Sequence, residues 1–296
     1  MMGKPLRAPV AVFFLLLLAL PASASQSPLK LQSPESVGIG LPFQILVSSE
    51  VDFRSVEVTW LGRTVELPLE GGGDRFAGSL LLGSDVKKQK PGERMISIEA
   101  EKFGMSRRLE RTVILQERDF PVQRLSLPKQ MVTLSEKALK RYRKEQKEIG
   151  AALSAYSSTR SWSCPFKRPA QGEISSRYGL RRILNDKPRS PHRGLDLRTG
   201  AGARVKACNS GRVKLIANHY FSGRSIYIDH GRGLVSMYFH LSKTFVSQGQ
   251  EVAKGTVIGL TGSTGRATGP HLHFGVSVLG QLVDPAYVLE EICSHE

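Results

Sequence analysis

The stretch Gly269-Pro270-His271-Leu272-His273-Phe274-Gly275-Val276 reads as a β-strand with one polar and one apolar face. Successive side chains of an extended strand point to opposite sides, so His271 and His273 share a face while Leu272, Phe274 and Val276 supply a core. Gly275 beside them keeps the polar face uncrowded. Buried imidazoles need partners, and a metal ion with its water is a good one. The same logic applies to Pro191-His192-Arg193-Gly194-Leu195-Asp196-Leu197. Drawn as a strand, His192 and Asp196 face one way, Leu195 and Leu197 turn to the core, and Gly194 leaves space for an ion. Imidazole nitrogen and carboxylate oxygen suit zinc, whose catalytic sites use three protein ligands and keep the fourth position for water. In Met237-Tyr238-Phe239-His240-Leu241-Ser242 a third histidine ends an apolar strand. Alone, His240 reads as an ordinary hydrogen-bonded structural residue.

Around these elements, from Pro165 onward, glycine is frequent and strand-like runs such as Arg224–Ile228 and Leu234–Phe239 alternate with turns. This predicts an antiparallel β domain over residues 165–296. Upstream, from Leu29 to Arg118, alternating apolar stretches are separated by turn signals at Gly38-Ile39-Gly40, Gly71-Gly72-Gly73 and Pro91-Gly92. Ser55–Trp60, Arg94–Ile98 and Thr112–Leu115 are the clearest strands. Their spacing fits a small antiparallel, Ig-like β-sandwich over residues 25–118. All seven histidines follow residue 190, so this module is read as a targeting, spacing or regulatory unit. Residues 119–164 form a linker, polar and proline-punctuated to 133. Thr133-Leu134-Ser135-Glu136 then has the form of a capping box opening a helix that runs to about Tyr156. Its Lys137, Lys140, Arg141, Arg143, Lys144 and Lys147 read as a solvated basic face. The chain is thus expected to be mostly β, with one linker helix.

The 296 residues suit two domains, and a hydrophobic content of 40% with 29 Gly and 16 Pro excludes a disordered chain. Residues 1–24 combine a basic start, an apolar run from Ala8 to Leu20 and an Ala22-Ser23-Ala24 cleavage pattern, which predicts a secretory signal peptide and no transmembrane helix after cleavage. Forty-two Lys and Arg against 26 Asp and Glu give +16. In an exported protein that excess favours anionic wall or membrane-surface polymers over nucleic acid. Cys164, Cys208 and Cys293 form no CxxC motif, and their pairing is open.

The motifs together resemble the lysostaphin-like, LytM-type zinc peptidoglycan endopeptidases. The resemblance runs from Gly172 to Ala286. It comprises Ser175-Ser176-Arg177-Tyr178-Gly179, the His192…Asp196 element, Asp229-His230-Gly231, Tyr238–Ser242, and Thr261-Gly262-Ser263-Thr264-Gly265 leading into His271-Leu272-His273. It implies that His192, Asp196 and His273 bind one Zn2+ and that His240 and His271 are the catalytic histidines. It further implies hydrolysis of peptidoglycan cross-links by a zinc-activated water, in the periplasm or cell envelope, with peptidoglycan as partner and a regulatory protein as a further one. Gly275 departs from the family, many of whose members carry an acidic residue after HxHF, and the loop Arg182–Ser190 is placed as a cleft wall. The alternative is a non-hydrolytic wall-binding protein or the activator of a separate amidase. Such relatives lose ligands, and all five site residues are present here. His219, His230 and His295 are given structural or surface roles.

Overall fold

The structure, a computed structural model, describes residues 29–73, 75–102, 104–125 and 135–293. The expected signal peptide, Thr133, Leu134 and His295 lie outside the described residues. No helix among the described residues is long and apolar enough to cross a membrane.

The N-terminal module contains β1 (Leu29–Gln32), β2 (Ser36–Gly38), β3 (Phe43–Ser49), β4 (Ser55–Trp60), β5 (Arg63–Pro68), β6 (Glu70–Gly72), β7 (Arg75–Leu82), β8 (Gly92–Lys102) and β9 (Met105–Gln116). One sheet has the order β1-β3-β7-β6 and the other β2-β9-β8-β4-β5. Strict alternation puts Phe43, Ile45 and Val47 of β3 inside, and Trp60 of the opposing sheet meets Phe43 edge-on at 5.4 Å. The buried indole N–H donates to the Gly83 carbonyl at 2.7 Å, as a buried polar group must. The sandwich departs from an all-antiparallel one because β2 runs parallel to β9.

After the module come β10 (Val122–Leu125) and α1 (Glu136–Leu153). Ser135 is the N-cap, accepting from the Ala138 N–H at 3.3 Å, so the cap lies two residues beyond Thr133. The helix ends at Leu153, short of Tyr156. Arg63 of β5 takes the Ser154 carbonyl at 2.8 Å and the Tyr156 hydroxyl donates to the Glu66 carbonyl, which commits these residues to the sandwich instead of another helical turn.

The C-terminal domain contains β11 (Glu173–Ser176), β12 (Arg181–Leu184), β13 (Lys187–Pro188), β14 (Leu195–Arg198), β15 (Arg204–Lys206), β16 (Gly211–His219), β17 (Gly223–Asp229), β18 (Leu234–Thr244), β19 (Glu251–Val252), β20 (Val257–Thr261), β21 (His271–Val278), β22 (Gln281–Val283) and α2 (Pro285–Glu290). Its main path is β11-β14-β21-β18-β17-β16-β19. The short α2 is an addition to the expected all-strand domain; Asp284 caps it and Pro285 fixes its first turn. Cys164 and Cys293 form a disulfide that ties the two ends of the domain together, while Cys208 is a buried thiol. The expected cleft-wall loop is a small hairpin, β12–β13, to which the linker strand β10 adds in parallel. The module and this domain are joined by Arg118–Asp284 and Arg232–Glu70, both at 3.1 Å.

Candidate metal centre and its histidine pair

The centre is assembled by strand register. Asp196 of β14 is paired with His273 of β21, and His273 in turn with Phe239 of β18. Leu195, Leu197, Leu272 and Phe274 are all essentially unexposed on the opposite face, which leaves the acid and the imidazole nowhere to turn except toward each other. His192 departs from the strand expectation, since it lies in the loop before β14. The loop still delivers it. His192 Nε2 is 3.1 Å from Asp196 Oδ1 and 3.0 Å from His273 Nδ1, and His273 Nδ1 is 2.8 Å from the same carboxylate oxygen. Gly194 permits this approach in a way its spacing did not suggest. A Cβ there would lie 2.5 Å from the His273 ring, so the room belongs to an imidazole and not to an ion. Gly275 is likewise filled in, by the Met237 methyl, 2.7 Å from where its Cβ would stand. An acidic residue at that position would have to displace Met237.

Hydrogen bonds fix which nitrogen each ring presents. His192 Nδ1 is 3.0 Å from the Arg177 carbonyl, which only an N–H can satisfy, so its Nε2 carries the lone pair toward Asp196. His240 Nδ1–H donates to the Thr264 carbonyl at 2.8 Å, and His271 Nδ1–H to the Gly269 carbonyl at 2.9 Å. Both therefore keep Nε2 free, and their rings lie 4.6 Å apart. His271 Nε2 reaches within 4.0 Å of Asp196. Phe239 stacks flat on His273 at 5.1 Å and closes that side to water.

Electrostatics follow from the same contacts. Burial alone would raise the Asp196 carboxyl, but the imidazoles of His192 and His273 packed against it hold it well below the usual carboxylate range. Burial disfavours the imidazolium of His273 and pushes His240 down to about 4, the latter despite its bond to Thr264. The donor set is two imidazoles and one carboxylate converging on one point. Donors held by one ion at about 2.0–2.2 Å must lie within about 4 Å of each other, a condition these atoms meet. The residues fit a divalent cation with nitrogen and oxygen preference.

Two supporting residues had no motif to announce them. Asp85, fully buried in the module, accepts from Arg193 at 3.0 Å, and Arg193 adjoins His192. Glu145 of α1, 7% exposed, accepts the Tyr220 N–H with both oxygens at 2.9 and 3.0 Å and Arg141 at 2.6 Å. That fixes the β16–β17 turn, whose Ser222 carbonyl takes the His240 N–H at 2.9 Å. His240 itself has φ 63°, a left-handed conformation that costs about 1–3 kcal/mol and persists only where neighbours impose it. It sits where the β17–β18 register shifts. A seven-residue recurrence of Ala138, Glu145 and Ala152 on the buried stripe of α1 was the signal that could have singled out Glu145; Asp85 had none. His219 and His230 are buried and bonded to Glu148 and to Ser210 and Ser236, away from the centre.

A His-Asp-His cluster at the end of a β-sheet, flanked by two further imidazoles, is a donor set of the kind that metallohydrolases use. Residues 190–285 match the model of Peptidase family M23. The chain is 41% identical over 112 residues to peptidoglycan DD-endopeptidase ShyA of Vibrio cholerae, covering 38% of this chain and 26% of that protein. It is 43% identical over 94 residues to ShyB of the same organism, covering 32% and 22%. This chain thus matches about a quarter of the length of these relatives. A solved Pseudomonas aeruginosa structure assigned to peptidase M23 superposes with a TM-score of 0.63 at 28% identity, covering 84% of this chain and 95% of that one. That coverage extends beyond the M23 span into the sandwich.

Proposed function

We propose that the chain is an exported zinc metalloendopeptidase that hydrolyses the peptide cross-links of peptidoglycan. One observation carries it: His192, Asp196 and His273 converge on one point with His240 and His271 presenting free Nε2 atoms beside them. The relatives named as peptidoglycan endopeptidases over this span support the substrate. Residues 1–24 are assigned to the signal peptide, 25–118 to the sandwich, 119–164 to the linker and helix, and 165–296 to the peptidase domain, with action in the periplasm or cell envelope.

His192, Asp196 and His273 would hold the ion. Zinc, when bound, supplies Lewis acidity toward the scissile carbonyl and toward water. The protein residues do the rest. Arg177 and Ser176 orient His192, and Phe239 keeps water from one side of His273. His240, neutral at pH 7 because it is buried, is suited to accept a proton at Nε2. His271 stands on the same side, placed to donate a hydrogen bond to developing charge or a proton to the leaving amine once it carries one. No covalent enzyme intermediate is required, since water is the nucleophile.

The test is release of new amine termini from purified peptidoglycan by the exported chain, with zinc, with chelator, and with His273→Ala. Zinc-dependent release that the variant loses is the expected outcome. Absence of release under all three conditions would sink the peptidase reading in favour of wall binding or amidase activation.

A further inference from the structure

Arg198 is the last residue of β14, two positions beyond Asp196 and hence on the same face. Across the antiparallel ladder its register partner is His271. Directly opposed residues place their Cβ atoms about 4.5–5.5 Å apart on one face, so an arginine stands beside one of the two free imidazoles. Its side chain is exposed. Among the described residues its guanidinium makes no hydrogen bond and no ion pair. On the other side its partner in β11 is Glu173, also exposed, and no ion pair joins the two.

The charge distribution points the same way. Residues 25–118 carry thirteen Lys and Arg against thirteen Asp and Glu, whereas residues 165–296 carry eighteen against nine. The whole positive excess of the exported chain lies outside the sandwich. Within that field Asp196 is committed to His192 and His273, leaving Arg198 as an uncommitted cation at the mouth of the centre. Arginine presents a planar fork of donors that matches a carboxylate in two parallel hydrogen bonds. A neutral glycine bridge offers no such group, whereas stem peptides carry free carboxylates.

Resting on the peptidase reading above, we propose that Arg198 is a specificity-determining residue: it binds a free carboxylate of the substrate peptide next to the scissile amide and selects acidic stem peptides over neutral or amidated ones. Glu173 opposes it and tempers its affinity. The proposal concerns discrimination between substrates; the bond-breaking machinery is unchanged by it.

The experiment uses the zinc-loaded exported chain and two cross-linked peptides with the same scissile amide, one with a free carboxylate beside that bond and one with its primary amide. Rates of cleavage and calorimetric Kd values for uncleavable versions of the pair are both measured. Wild-type protein is expected to favour the carboxylate by roughly tenfold, the scale of one charge-assisted pair, and the preference should shrink as salt rises. Arg198→Ala should bring the carboxylate peptide down to the amide peptide's values and leave the latter unchanged, Arg198→Lys should keep part of the preference, and Glu173→Gln should enlarge it. Equal Kd values for the two peptides in wild type, or an Arg198→Ala variant that keeps the preference, overturns the proposal. If neither peptide is cut but the Kd preference follows Arg198, it is the peptidase reading that fails and the carboxylate site that stands.

Discussion

The two halves of the centre are made differently. The metal corner of Asp196 and His273 rests on uninterrupted register, with β14 on β21 and an apolar residue behind each polar one. The His240 corner rests on an irregularity, a positive φ at a register shift, held by the Thr264 carbonyl from the loop between β20 and β21 and by a turn that α1 braces. Regular pairing supports itself; a strained residue depends on its surroundings. The corners should therefore fail in separable ways.

The largest expected effect is at the metal corner. His273→Ala or Asp196→Ala should remove stoichiometric zinc, read by metal analysis, and lower amine release by about 1000-fold or more. His240→Ala should retain its zinc and still lose about 100- to 10,000-fold in kcat, the range for a proton-transfer group. Loss of zinc in that variant would break the division between the corners.

Next comes a control at His230, a buried histidine of different purpose in the turn between β17 and β18. His230 is fully buried, and desolvation pushes it down to about 4 from an ordinary 6.5. Because the folded value is depressed, the unfolded chain takes up a proton first as pH falls. The stability that neutral His230 supplies is complete above about pH 6.5 and is lost toward pH 4, by about 3 kcal/mol in all. Denaturant unfolding at pH 7.5 and 4.5 should show that loss, and a His230→Asn variant should show it reduced. An unchanged pH dependence in the variant would reject His230 as the source.

The smallest effects are at the supports, and they sharpen the comparison most. Asp85→Asn weakens the hold on Arg193 and through it on His192, so zinc affinity should fall about tenfold, at the lower end for residues behind metal ligands. Competition with a chromogenic chelator measures it. Glu145→Leu leaves the Tyr220 N–H without its acceptor, at a cost of about 1–3 kcal/mol in stability. It should lower kcat while zinc affinity stays at the wild-type value. If both variants shifted zinc affinity equally, the supports would not be specific to their corners.

Much of this was legible because strands have a period of two. That period put Leu272 and Phe274 behind His271 and His273, and it made the alternating β3 and β4 of the sandwich recognisable before any contact was known. What escaped was whatever depended on a distant partner. The helix stopped at Leu153 because Arg63 and Glu66 claim the residues after it. The six basic residues of α1 drew the reading toward solvent, while the acidic residue between them was the buried one.

The sequence alone names His192, Asp196 and His273 as candidate ligands and His240 and His271 as their candidate neighbours, and it sets the sheet face shared by His271 and His273. Residue type sets which atoms can donate or accept, and alternation sets which share a face. Only the tertiary structure decided that Gly194 makes way for an imidazole, that Cys164 pairs with Cys293, that His240 adopts a left-handed turn, and that Asp85 and Glu145 stand behind the two corners. These are contacts between groups from 24 to 129 residues apart in the chain, and local sequence carries no record of which distant group will fill a given space.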